Sequence, residues 1–499
     1  MGSRSNASRQ FAGAMERHFS APPPRTGNAA AEAGAIATAK ARIYPVSNAA
    51  PALSPSVPDA GAGAGAIQRA DVAGARAGEA LAWSVEAVTN YEAFLALGPL
   101  WNQLVDEAQA GHPFVRHEWI RAWWDSFGAG RQLHILIVRA DREPIAIVPL
   151  MSCAGRVCGL PVRQLQFIWN VYAERFDLIV GRWPQAACRA ALDYLRQRKD
   201  WDVLLLPQLP SGSATLAALP RLASEAGMLH SVQHSCDSPY LPLRGSWQTY
   251  WESLDRKHRS NLRNREKRLG QLGTLSLEIV SSPEHLAKAL EDGFRLEGAA
   301  WKNQAGTSIA ACPQTRRFYT LLAERAAERG WLRLCFLKLE EERIAFAYYL
   351  EYANKLFLLK PGYDPKYSAF SPSSLLCSLV LRDAHRRGIR EVDFLANSDE
   401  WKLRWTRELR PHYRLYVFPA RLEGRMLHWI KFRLMPSLGE ERVLRMVRDA
   451  ALDLLHARWR IPGAANLARK LRPPGSSAGA GQTARTRDAA VTSEVSIAS

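Results

Sequence analysis

The feature that most limits what this chain can fold into is a match between its two halves. LHILIVRADREPIAIVPL, from Leu133, lies without a gap beside LRLCFLKLEEERIAFAYY, from Leu332, at an offset of 199 residues. Leu133 meets Leu332, Val138 meets Leu337, Ile145 meets Ile344 and Ala146 meets Ala345. Each piece is a pair of apolar runs joined by a polar turn, Asp141-Arg142-Glu143 or Glu340-Glu341-Glu342, which is the pattern of a β-hairpin. A second match follows in the same order. LRQRKDWDVLLL, from Leu195, lies beside AHRRGIREVDFL, from Ala384, each a helix end feeding a buried strand. Alternating apolar residues can match by chance, but two ordered matches with the same element types favour duplication. The period is far too long for a solenoid. The expected architecture is therefore two similar α/β domains side by side.

Composition sets the limits of this pair. Residues 1–81 and 473–499 are rich in Ala, Gly, Pro and Ser, with few large apolar residues, and are expected to be disordered. Between them the organisation reads as a first domain over 82–253, a basic linker helix over 254–272, a second domain over 273–419 and a basic amphipathic helical extension over 420–472. The 499 residues are 47% hydrophobic and 23% charged, as in an ordinary soluble protein. No run of about 18 apolar residues is present to span a bilayer. Seven scattered cysteines without a CxxC pair suit a reducing compartment, so a cytoplasmic protein without disulfides is expected. The formal charge of +18 is local: 255–270 carries 7 basic and 2 acidic residues, and 421–472 carries 12 and 5. Such stretches point to surfaces that meet anions. Their charges are not interleaved with aromatics in 255–270, which speaks against nucleic acid. That segment reads as a solvated linker helix or as a lid or groove for an anionic substrate. The extension, with Met426, Trp429 and Phe432 among arginines, reads as an inter-domain clamp or a contact with an anionic membrane. Metal and serine-hydrolase chemistry find no support, since neither HExxH nor GxSxG occurs.

The stretch richest in chemistry is Lys360-Pro361-Gly362-Tyr363-Asp364, followed by Lys366-Tyr367 and by Ser371-Pro372-Ser373-Ser374. A strand runs into a glycine-containing loop, then into a helix with Ser371 as N-cap and Pro372 at the first helical position. A helix start with free N–H groups attracts phosphate, and here hydroxyls and lysines add donors.

From Phe294 to Phe418 the chain resembles the acetyltransferase domain of the GNAT superfamily, in the subgroup with the CelD/BcsL-type and BioF2-like proteins. The pieces that carry the resemblance are Glu297 with Trp301-Lys302, Phe318-Tyr319, Ile344-Ala345-Phe346, Lys360 with Gly362-Tyr363-Asp364, Ser371-Pro372, Asp393-Phe394-Leu395, and Lys402 with Trp405. In the first half Trp101, Pro113-Phe114, Glu118-Trp119 and Pro149-Leu150 fit the same group, and the tandem arrangement resembles the FemABX transferases. Where the subgroup has Ser-Pro-Gly, this chain has Ser371-Pro372-Ser373. The resemblance implies two tandem GNAT-like domains, each a mixed, mostly antiparallel sheet flanked by helices. It also implies transfer from acetyl-CoA or another acyl-CoA to a sugar or an envelope or exopolysaccharide precursor, with no metal. Asp393, Glu297 and Asp364 become candidate bases, and Tyr363 and Tyr367 candidate donors to the departing thiolate. Lys360, Ser371, Ser373 and Ser374 would hold the CoA phosphates, and Trp301, Lys302, Lys402 and Trp405 the acceptor. Asp393 stands out, because the second sequence match sets it opposite Leu204 in the first half. The rival readings are a non-catalytic binding subunit of a polysaccharide-synthesis complex and a FemABX-like aminoacyltransferase. The protein is expected in the cytoplasm, with peripheral contact at the inner membrane face.

Overall fold

The computed structural model describes residues 81–170, 174–299 and 308–438. Trp301, Lys302, both Ala/Gly-rich ends and the extension beyond residue 438 lie outside the described residues. The first half runs β1 (Trp83–Val88), α1 (Tyr91–Ala96), α2 (Gly98–Glu107), α3 (His117–Phe127), β2 (Gln132–Ala140), β3 (Glu143–Val157), β4 (Leu160–Phe167), β5 (Ile179–Val180), α4 (Pro184–Gln197), β6 (Val203–Pro210), α5 (Ala214–Glu225) and β7 (Leu229–Pro242). Next come α6 (Trp247–Ser253) and the basic α7 (Arg256–Gly270). The second half runs β8 (Leu275–Val280), α8 (Leu286–Gly298), α9 (Pro313–Glu328), β9 (Leu332–Leu339), β10 (Glu342–Tyr352), β11 (Lys355–Tyr363), α10 (Pro372–Arg386), β12 (Glu391–Asp393), α11 (Glu400–Leu403) and β13 (Leu409–Phe418). Helices α12 (Leu422–Trp429) and α13 (Met435–Leu438) follow, joined by a π-helical turn.

The strands form one mixed sheet in the order β1-β2-β3-β4-β6-β13-β7-β12-β11-β10-β9-β8, with β5 paired to β3. This order is a palindrome of equivalent strands. β4 and β6 pair in parallel, as do β11 and β12. The last strand of each half is exchanged: β13 pairs with β6 and β7 with β12, while β7 and β13 pair with each other in antiparallel.

The duplication extends to irregularities. In β2–β3 the register slips so that Ile145 is an extra residue between Val138↔Ala146 and Arg139↔Pro144. In β9–β10 the extra residue is Ile344, between Leu337↔Ala345 and Lys338↔Arg343, again 199 residues on. A bulge is one residue inserted in one strand, so its repetition at one position is not a product of apolar alternation. The tight turns that lead into β4 and β11 are also alike, with Cys158-Gly159 and Ala353-Asn354 at positive φ. Such two-residue left-handed turns match the twist of the strands they join.

Trp119 of α3 and Phe318 of α9 are equivalent at the same offset, and their rings meet edge to face at 5.3 Å. The two halves therefore share a core, in which Phe114 of the first also meets Phe357 of the second. A second core lies on the other face of the second half and includes Trp251, Leu262, Leu269, Leu376, Val380 and Trp405. Leu254, Leu262 and Leu269, the apolar positions of the basic segment, are all buried. α7 is thus packed onto the second half rather than lying as a solvated bridge. Among the described residues no helix is long and apolar enough to cross a membrane.

Candidate functional site

β11 and β12 pair for three residues, Lys355↔Glu391, Leu356↔Val392 and Phe357↔Asp393, and then part. Ligands of open α/β sheets sit where neighbouring strands diverge at their carboxyl ends. β11 continues along β10 with Leu359 as an extra residue between Tyr349↔Leu358 and Tyr348↔Lys360. A bulge here re-aims the strand's side chains and frees a backbone group from the ladder. The chain after β12 turns away through Leu395 and Ala396, with φ of 55° and 53°. On β11, Gly362 lies directly under α8, and a Cβ there would come within 2.8 Å of the Leu296 carbonyl carbon and strike Glu297 as well.

α10 starts beside this opening. Ser371 occupies the N-cap position but in left-handed conformation, φ 49°, and its side chain makes no capping bond. Instead its carbonyl accepts from Ser374 N–H at 2.9 Å and Leu375 N–H at 3.2 Å. The Ser373 hydroxyl donates to Gly362 O at 3.5 Å, so the side chain that replaces glycine is turned back onto β11. Lys360 sits on β11 with its ammonium 5.7 Å from the Tyr319 ring.

The other expected residues divide. Glu297 is 1% exposed and accepts Ile309 N–H at 2.8 Å, which anchors the chain before α9. Asp364 accepts Lys366 N–H at 2.9 Å and caps the short helical turn before α10. Tyr367 donates to Glu342 at 2.6 Å, an interaction that holds its hydroxyl proton more tightly than usual. Tyr363 is half-buried at the end of β11. Lys402 is buried, and its ammonium donates to Leu395 O at 2.8 Å and Asn397 O at 2.9 Å, pinning the turn after β12. Trp405 is core, 2% exposed, against the His258 ring at 4.8 Å.

Asp393 is fully buried at the mouth of the strand split. Its carboxylate accepts from Arg175 at 2.6 Å, Arg410 at 2.6 Å, Leu395 N–H at 3.0 Å and Ser238 at 3.4 Å. Burial pushes this carboxyl up, but the two guanidinium groups outweigh it and hold it below the usual carboxylate range. Four donors on a doubly paired carboxylate leave little basicity for abstracting a proton. The geometry favours an ion-pair role for Asp393 over the expected base role. Strand register also moves its counterpart. Met151↔Gln166 and Leu350↔Phe357 are equivalent, Gln166 faces Leu205, and Phe357 faces Asp393. Leu205, not Leu204, stands where Asp393 does.

A carboxylate that sequence reading missed lies in the split. Glu174, in the loop between β4 and β5 of the first half, accepts Ala396 N–H at 3.0 Å. Burial pushes its carboxyl up against the pull of Lys402 and Lys360, and Asp393 adds to the rise. Its neighbour Arg175 reaches Asp393 and also donates to His412 Nε2 at 3.2 Å. The signal was present: the offset between the halves falls from 199 to 189, so the first half carries ten extra residues between the two matches. They include this loop, which crosses into the second half.

Residues 256–403 match the family model described as an acetyltransferase (GNAT) domain. The matched stretch, less than a third of the chain, is similar to that domain. The match begins at α7 and ends with α11, and so takes in β11, β12, the strand split and the start of α10. Among solved structures, FemX is similar at 12% identity and a TM-score of 0.41, over 62% of this chain and 93% of FemX. A tandem GNAT protein from the clavulanic acid biosynthesis pathway is similar at 14% identity and a TM-score of 0.36, over 68% and 99%. The C-terminal domain of a putative lysylphosphatidylglycerol synthetase from Agrobacterium fabrum follows at 10% and 0.39, over 67% and 96%. No curated protein matches the chain. Among the described residues no group of His, Cys, Asp and Glu is placed to hold a metal ion.

Proposed function

We propose that this GNAT-type acyltransferase transfers an acyl group from acyl-CoA, with acetyl as the group of first choice, in the split between β11 and β12. The observation that carries the reading is the convergence of Glu174, Lys360, the Leu359 bulge and the start of α10 on one opening. The acceptor's amine or hydroxyl attacks the thioester carbonyl, a C–N or C–O bond forms, the C–S bond breaks, and the nucleophile's proton ends on the thiolate. Glu174, whose affinity for protons is raised, takes that proton directly or through water. A backbone N–H freed at the bulge faces the carbonyl oxygen as it gains charge. Lys360 and the hydroxyls of Ser371 and Ser374 hold the donor's phosphates. Both halves supply the site, since Glu174 comes from the first and everything else from the second.

The resemblance of residues 294–418 to the CelD/BcsL-type subgroup supports a sugar or polysaccharide-precursor acceptor. Leu422, Met426 and Trp429, exposed along one side of α12 beside Arg425, support peripheral contact with an anionic membrane or a synthesis complex. The test is Glu174→Gln, with CoA thiol release from acetyl-CoA followed over a panel of amino sugars and sugar nucleotides. Turnover should fall by about 10²-fold or more with the melting temperature kept. Unchanged turnover would remove Glu174 from the reaction.

A further inference from the structure

Beside α7 lies a cleft that takes no part in the reaction described above. Its volume is about 790 Å³, and its walls come from the end of β7, from α6, from the first two turns of α7 and from residues 403–408. That volume suits a nucleotide-sized ligand. Four cations converge on it, Arg244, Lys257, Arg404 and Arg407, against two carboxylates, Asp255 and Glu408. Among the described residues Arg244, Lys257 and Arg407 have no ion-pair partner, and Arg404 reaches only the exposed Glu400, at 3.2 Å. Asp255 is occupied as the N-cap of α7, accepting His258 N–H at 2.9 Å. The His258 ring lies edge-on to Trp405, and its Nε2 is buried without a hydrogen-bond partner among the described residues.

The position of α7 gives this cleft a relation to the donor opening. At one end of the helix His258 touches Trp405, three residues past Lys402. At the other end the Arg268 guanidinium lies 5.3 Å from the ring of Phe370, just before α10. α7 thus spans from the segment after β12 to the loop that starts the phosphate-binding helix. Unneutralised cations in a concave site focus field and select anions.

We propose that this cleft is a second anion site, which binds the phosphates of a nucleotide-linked ligand beside the transfer site. Two sources share that chemistry: the diphosphate of an acceptor nucleotide sugar, and the phosphorylated adenosine end of the CoA donor. The two exposed arginines Arg244 and Arg407 are replaced together by alanine in the full chain, with Arg425→Ala on α12 as the charge control. Calorimetric titration then uses UDP-glucose, CoA and 3′-dephospho-CoA as probes. The acceptor source predicts at least a tenfold loss of UDP-glucose affinity in the double variant, with CoA unchanged. The donor source predicts a tenfold loss for CoA, and a smaller one for 3′-dephospho-CoA. Either loss should weaken further with salt and be absent in Arg425→Ala. If the wild-type chain binds none of the probes, or the double variant binds each as the wild type does, the site is refuted. Glu174→Gln separates this inference from the proposed reaction, since it should lower transfer by about 10²-fold or more and leave the probe affinities intact.

Discussion

His412 shows how single side chains at the seam between the halves depend on pH. Its Nδ1–H donates to Arg410 O at 2.9 Å, and its Nε2 accepts from Arg175, so the neutral ring is the one that fits. Burial lowers its pKa, Arg175 adds to the fall, and the result is about 4 despite Asp393 nearby. His112, also buried here, is shifted the same way by burial and by Arg175 and Lys355. A base whose folded pKa lies below its unfolded value stabilises the fold fully above about pH 6.5 and loses that contribution as pH falls towards 4. Urea midpoints should therefore decline between pH 6.5 and 4, and His412→Gln should flatten part of that decline. An identical slope in the variant would contradict the assignment. Asp393→Asn should do something different at neutral pH, because it leaves the buried Arg175 without its anion and Arg410 with Glu391 alone. A loss of about 3–5 kcal/mol is expected, read as a lower denaturant midpoint. Asp393 was conspicuous in the sequence as a carboxylate inside an apolar strand. Its partner Arg175 was not, because it lies 218 residues away and reaches Asp393 only through a loop of the other half.

At the scale of elements, the hairpins were legible because their apolar alternation was strong and repeated. The strand exchange was not, since nothing in the composition of β7 or β13 says which half of the sheet each completes. The basic α7 was legible as a helix with three apolar contacts, but its neighbours were hidden. Leu262, 1% exposed, packs into the second core, and Lys267 faces solvent. Leu262→Ala should cost about 2–5 kcal/mol, and Lys267→Ala should stay within about 0.5 kcal/mol, by equilibrium unfolding. Equal, small effects would return α7 to a solvated linker. The helix start at Ser371 taught a finer lesson. Its Ser-Pro pair marked the right position, yet the left-handed backbone there uses the carbonyl rather than the side chain to begin the helix. The first half repeats that backbone with Trp183, φ 50°, before Pro184.

At the scale of the molecule, the palindromic sheet is symmetric but the chemistry is not. In the first half the strand equivalent to β11 is broken into β4 and the two-residue β5, and the loop between them reaches Ala396 of the second half through Glu174. Its helix start carries the 44% exposed Trp183 where the second half has Ser371. The proposed function therefore predicts one donor opening per chain. The test is calorimetric titration of the full chain with acetyl-CoA, in the wild type and in Lys360→Ala/Ser374→Ala. The predicted result is one molecule bound per chain, with affinity lowered at least tenfold in the double variant. No binding, two molecules per chain, or an affinity untouched by the variant would contradict it.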